Sequence, residues 1–122
     1  MPKQRVFIIW TNPLFHASVV LLLDNPQIEV VGETSNYPDA WQKISIQRPE
    51  TILIEKTSEG VPAEVMNILE NSSWKVRVIG LSLDDNELSI YHREKKTVGK
   101  IGDLLRFILS EPQARRKSLD KS

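Results

Sequence analysis

Apolar positions along the chain follow two alternating patterns. "RVFIIW" (Arg5–Trp10) is an unbroken apolar run with β-branched residues, which predicts a strand covered on both faces. In the "TNP" that follows, Asn12 can cap a helix and Pro13 suits its first position, where a missing N–H costs nothing. "PLFHASVVLLL" predicts a helix to Leu23 with Phe15, Val19, Leu22 and Leu23 on one face, stopped by "DNPQ". A strand over Ile28–Ser35 comes next, then a helix over Tyr37–Gln47 with Ala40, Trp41, Ile44 and Ile46 inward. "TILIEK" (Thr51–Lys56) is strand three. Pro62–Ser72 is a helix with Val65, Ile68 and Leu69 as its stripe, and Lys75–Leu83 is strand four.

Apolar strands alternating with amphipathic helices at short spacing predict an α/β fold with a parallel sheet covered on both faces. After Leu83 the rhythm changes. "DDNE" is a turn cluster, and in "LSIYHREKKTV" Leu88, Ile90 and His92 alternate with Ser89, Tyr91 and Arg93, which is strand period. A parallel return needs a crossover of a dozen or more residues, so strand five must lie antiparallel to strand four. "GKIGDLLRFILSE" (Gly99–Glu111) predicts the last helix, with Ile101, Leu104, Leu105 and Ile108 inward, and Pro112 begins a tail. The expected organisation is a single domain over 1–111 and a flexible basic tail over 112–122.

The 122 residues suit one domain, and 40% apolar with 26% charged residues is a globular composition. No cysteine is present, which excludes disulfides and thiolate chemistry. Net charge is zero, but the last eleven residues carry four basic groups and one acid, leaving the rest of the chain acidic. Such a domain has no electrostatic footprint for nucleic acid. "VVLLL" is far below a membrane span, and no secretory leader is visible, so a cytoplasmic location is expected. His16 and His92 lack a second ligand at metal spacing, and Asp84, Asp85 and Glu87 read as a turn rather than a calcium loop. No glycine-rich phosphate loop and no nucleophile elbow appears. Trp41 reads as core, Trp74 as cover for the start of strand four, and Trp10 as a plug or stacking surface at the carboxyl edge of the sheet, where α/β folds bind ligands.

"RVFIIWTNPLF" resembles the "RVLIVDDHPLF" opening of response-regulator receiver domains. "LLLDNPQIEVVGETSNYPDAWQKISIQRPETILIEK" resembles their next stretch, and "VRVIGLS" their fourth strand. The likeness covers about residues 5–83 and the final helix. It implies a flavodoxin- or CheY-like doubly wound sheet of five strands, here with helix four missing. It also implies a phosphorylation site whose parts have changed. The acidic pair that holds Mg²⁺ in receivers falls on Trp10 and Thr11, and the phosphoaccepting aspartate on Glu55. The switch hydroxyl is Ser82, and the strand-five lysine falls on Lys96 or Lys95. Mg²⁺ takes hard oxygen ligands, which an indole cannot supply. Glu55 then either mimics a phosphorylated aspartate, bonded to Ser82 or paired with Lys96, or is a polar strand-end group. The expected function is a non-enzymatic, phosphorylation-independent pseudo-receiver for protein–protein contact in bacterial signalling or transcriptional control, with no cofactor, metal, nucleic acid or membrane partner. The alternatives are a small-ligand sensor around Trp10, Thr11, Glu55 and Ser82, and an unconventional phosphoreceiver. Loss of helix four exposes part of the sheet, which predicts a homodimer through Leu88, Ile90, Tyr91 and His92.

Overall fold

The structure is a computed structural model that describes residues 3–56, 61–84, 86–92 and 96–109. The expected basic tail over 112–122, Asp85 and Lys95 lie outside the described residues. The elements run β1 (Gln4–Ile9), α1 (Pro13–Leu22), β2 (Ile28–Thr34), α2 (Tyr37–Gln47), β3 (Thr51–Glu55), α3 (Ala63–Asn71), β4 (Arg77–Ser82), β5 (Glu87–Tyr91) and β6 (Lys96–Lys100). A 3-10 turn (Ile101–Asp103) then leads into α4 (Leu104–Leu109).

One six-stranded sheet has the order β2-β1-β3-β4-β5-β6. β1 through β4 are mutually parallel, and β5 is antiparallel to β4, as the short loop requires. The first five places repeat the 2-1-3-4-5 order of flavodoxin-like sheets. Strand period sorts the core into two layers. Val6, Ile8, Leu53, Ile79, Leu81, Leu88 and Ile90 meet Phe15, Val19 and Leu23 from the α1 side and Leu104 and Ile108 of α4. Phe7, Ile9, Ile52, Ile54 and Val78 meet Ala40 and Ile44 of α2 and Val65, Ile68 and Leu69 of α3. Both faces of β1, β3 and β4 are dry, which is why their sequences read as continuous apolar runs, whereas β2, at the edge, is buried only at its two ends.

Local chemistry fixes the helix ends. Asn12 Oδ1 accepts from Leu14 N–H at 2.8 Å, with Pro13 at the start of α1. α2 stops at Arg48, a non-glycine residue at φ 50°. That conformation costs about 1–2 kcal/mol. The Arg48 N–H bonds Ile44 O, its guanidinium bonds Ser73 Oγ at 2.9 Å, and it lies 5.2 Å over the Trp74 ring, contacts that offset the cost.

Three expectations change. The region after Tyr91 is not one long strand followed by a helix from Gly99: β6 forms over Lys96–Lys100 and pairs antiparallel with β5. Gly99 belongs to this strand because a Cβ there would stand 2.9 Å from Phe107 Cε2; its missing side chain makes room for the helix packed on it. Trp41 and Ile46 do not point inward; they are 43% and 73% exposed, since the buried stripe of α2 is the narrower Ala40 and Ile44. Leu88 and Ile90 are fully or almost fully buried beneath α4. They form this chain's own core and supply no surface for a second copy, and β5 is not an edge because β6 covers it.

β6 is antiparallel to β5 and so runs in the direction of β4. The hairpin series β4-β5-β6 thus stands where receivers have a strand-helix-strand crossover. The chain segment that would cover the sheet as helix four lies within the sheet instead.

Candidate functional site

The strand registers set Ile9 beside Ile54 and Glu55 beside Leu81, so the carboxyl ends of β1, β3 and β4 share one edge. Glu55 is the last residue of β3. Its Oε1 accepts from Thr11 Oγ1 at 3.1 Å and from Asn12 N–H at 3.3 Å. The carboxylate therefore holds the loop that starts α1, through two donors supplied by the "TN" of the sequence. Among the described residues its hydrogen bonds go to neither Ser82 nor a lysine. Ser82 is half-buried at the end of β4, opposite Glu87.

Trp10 lies half-buried against the α1 layer. Its Nε1 donates to Glu33 Oε1 at 3.1 Å, and its ring is 4.7 Å from that of His16, tilted by 41°. His16 Nε2 also contacts Glu33 Oε1, without the alignment of a hydrogen bond. One carboxylate oxygen from β2 thus gathers an indole and an imidazole over the first turn of α1, and Trp10 fills the edge between β1 and β2.

Lys96 occupies a position away from this edge. It opens β6 at the level of Tyr91 and Val78, the opposite end of the sheet from Glu55. It also stands three strands from β3, roughly 14 Å at ordinary strand spacing. The lysine that the sequence reasoning missed is Lys56, the residue after Glu55. Its backbone extends the ladder by donating to Leu81 O at 2.8 Å. Its side chain crosses Gly80, where an added Cβ would meet Lys56 Cβ at 3.5 Å and Val61 Cγ2 at 3.1 Å. Its Nζ bonds Ser89 Oγ at 3.1 Å and lies 3.6 Å from Glu87 Oε1. Lys56 thereby covers sheet surface that a helix would occupy in a receiver. The signal for it was a lysine placed directly at a strand exit.

The receiver resemblance implies Mg²⁺ at this edge, and the residues present do not fit it. An indole and a hydroxyl stand where a carboxylate pair is needed, and one oxygen of Glu55 is already committed to two donors. Among the described residues no cluster of three or more His, Asp or Glu side chains could hold a metal. A separate concavity of about 390 Å³ lies between α2 and α3, walled by Trp41, Glu64, Val65, Asn67 and Ile68; it shares no residue with the edge.

No protein-family model matches the chain, and no curated protein matches it. Among solved structures, the signal receiver domain of the response regulator NarL from Mycobacterium tuberculosis is similar at 27% identity with a TM-score of 0.57, over 67% of this chain and 68% of that one. A double variant of the anti-anti-sigma factor PhyR from Bartonella quintana is similar in fold at 22% identity with a TM-score of 0.54. That match covers 66% of this chain, which spans only 34% of the PhyR chain. Strand order, the two helical layers and these likenesses place the chain, by its fold, in the CheY-like receiver superfamily of response regulators.

Proposed function

We propose that this chain is a pseudo-receiver: a non-enzymatic module of bacterial signalling or transcriptional regulation that works by protein–protein contact, in the cytoplasm, without being phosphorylated. The observation that carries the reading is the bonding of Glu55. Its Oε1 is held by Thr11 Oγ1 and Asn12 N–H, and the positions of the metal-binding acids are Trp10 and Thr11. Phosphoryl transfer needs a metal to neutralise developing charge and a nucleophile aimed at the donor. Here the nucleophile position is an acceptor tied into its own loop. Glu55 acts as a strand-end latch rather than as a phosphoaspartate mimic, since its bonds run to the β1–α1 loop and not to Ser82.

The test is intact-mass spectrometry after incubation with Mg²⁺ and acetyl phosphate. No phosphoryl-sized gain is expected. A Mg²⁺-dependent gain that maps to Glu55 and disappears in Glu55→Gln would refute the reading.

We also propose a homodimer whose contact uses what remains accessible of the surface first expected for it, Tyr91 and His92. Tyr91 and His92 are half-buried and Leu88 and Ile90 are in the core. Light scattering over a wide concentration range measures the mass; a monomer at every concentration would overturn this part.

A further inference from the structure

β6 ends the sheet, and among the described residues no strand pairs with its outer side. The phase of its ladder can be read. Ile101 N–H donates to Asn86 O, and the β5–β6 register sets Leu88 against Gly99 and Ile90 against Thr97. Opposed residues in an antiparallel pair alternate between bonded and non-bonded. Gly99 and Thr97 fall in the same phase as Ile101 and turn their backbone groups toward β5. Lys96, Val98 and Lys100 therefore turn theirs outward. The edge offers a row of unpaired donors and acceptors, and Val98 in the middle of it is 55% exposed.

The other edge is less suited to pairing. The β1–β2 register shifts between Val6 and Phe7 of β1 and leaves Val31 of β2 as an extra residue, and a bulge of this kind spoils an edge as a template. β6 has no such shift against β5. Its charge selects the partner. Lys96 and Lys100 stand two residues either side of Val98, and the sequence from His92 to Lys100 contains Arg93, Lys95, Lys96 and Lys100 against the single acid Glu94. A second copy added antiparallel about Val98 would set lysine opposite lysine at both ends, which is unfavourable. Lysines at an edge repel like strands but attract an acidic one.

We propose that β6 accepts an extended acidic segment of a protein partner as a seventh strand. Its backbone pairs with Lys96, Val98 and Lys100. Its pattern is acid-x-apolar-x-acid, so that the apolar residue covers Val98 and the acids answer Lys96 and Lys100. This rests on the pseudo-receiver reading and names the class of partner for it.

The probe is the synthetic peptide acetyl-SETVTES-amide, titrated to millimolar concentration into the full chain and followed by amide NMR and hydrogen exchange. Slowed exchange is expected at Val98 and Lys100, with Thr97 and Gly99 unchanged because they are already bonded. Val98→Pro removes the outward N–H at a position where an edge strand tolerates proline, and it should weaken binding at least tenfold while the spectrum stays dispersed. The double variant Lys96→Glu and Lys100→Glu should exchange preference for acetyl-SKTVTKS-amide, again by at least tenfold. Unchanged exchange at Val98 and Lys100 would overturn the proposal. So would equal binding of the peptide N-methylated at its valine, which would mean charge attraction without strand pairing. Protection of these amides by an oligothymidylate and not by the peptide would overturn it in favour of nucleic acid. None of these outcomes depends on a phosphoryl donor, so a failure here is distinct from a failure of the pseudo-receiver reading.

Discussion

If Glu55 is a latch, its energy should be coupled to Thr11 and measurable. Thr11→Val keeps the shape of the side chain and deletes the donor to Glu55 Oε1, a contact of 3.1 Å. Glu55→Ala deletes the acceptor for both Thr11 and the Asn12 N–H. A hydrogen bond to a charged group contributes about 1.5–3 kcal/mol when well shielded. Both contacts here are solvent-exposed, and the orphaned N–H of Asn12 can turn to water, so the upper part of that range does not apply. The expected costs are about 0.5–1 kcal/mol for Thr11→Val and about 1–2 kcal/mol for Glu55→Ala. The double variant should cost little more than Glu55→Ala alone. The assay is urea unfolding of all four proteins, with the coupling taken from the cycle. A coupling of about 0.5–1 kcal/mol is predicted. Independent sites add to within about 0.3–0.5 kcal/mol, so a value below about 0.3 kcal/mol would refute the latch.

Other substitutions test the packing that positions the surface. Gly99→Ala places a Cβ 2.9 Å from Phe107 Cε2 and should destabilise by about 1–3 kcal/mol, read as a lower urea midpoint with an unchanged slope. Leu88→Ala should cost about 2–5 kcal/mol without altering the mass in solution, because this side chain is buried under α4; a changed mass at unchanged stability would contradict its placement. Arg77 is 5% exposed and joins Thr51 Oγ1, at 2.9 Å, to the carbonyl of Ile108 at the end of α4. Arg77→Met should loosen α4 before the sheet, seen as faster hydrogen exchange in Leu104–Leu109 than in β1 and β3.

β1, β3, β4 and the first three helices were legible because their burial is simple, and the exposed edge strand β2 by its β-branched run. A strand dry on both faces must be apolar throughout, and a helix on such a sheet must carry a stripe. β6 was not legible for the complementary reason. "KTVGK" has one apolar residue, and its inward positions are Thr97 and Gly99, the latter selected by the shape of Phe107 rather than by its own hydrophobicity. No local pattern announces a glycine that fits beneath a ring from a later helix. Missing that strand made Leu88 and Ile90 look like surface. Around the site, strand ends alone predict that Thr11 and Glu55 meet, since residues leaving adjacent parallel strands share an edge; Trp10 turns instead to Glu33 and His16 on the β2 side. Which lysine serves that region depends on the direction of each strand. Lys96 starts an added strand at the far end of the sheet, whereas Lys56 sits next to Glu55 and crosses the face at Gly80.

In the proposed pseudo-receiver, this edge answers to neither a metal nor a phosphoryl group. The most direct measurement is the amide NMR spectrum of the full chain with Mg²⁺, and then with Mg²⁺ and beryllofluoride, which mimics a phosphoryl group on a receiver carboxylate. Thr11, Glu55 and Ser82 are expected to keep their positions throughout, with no shift in β4, β5 and β6. Saturable, Mg²⁺-dependent shifts at Thr11 and Glu55 that spread to Ser82 and β5 on adding beryllofluoride would contradict it.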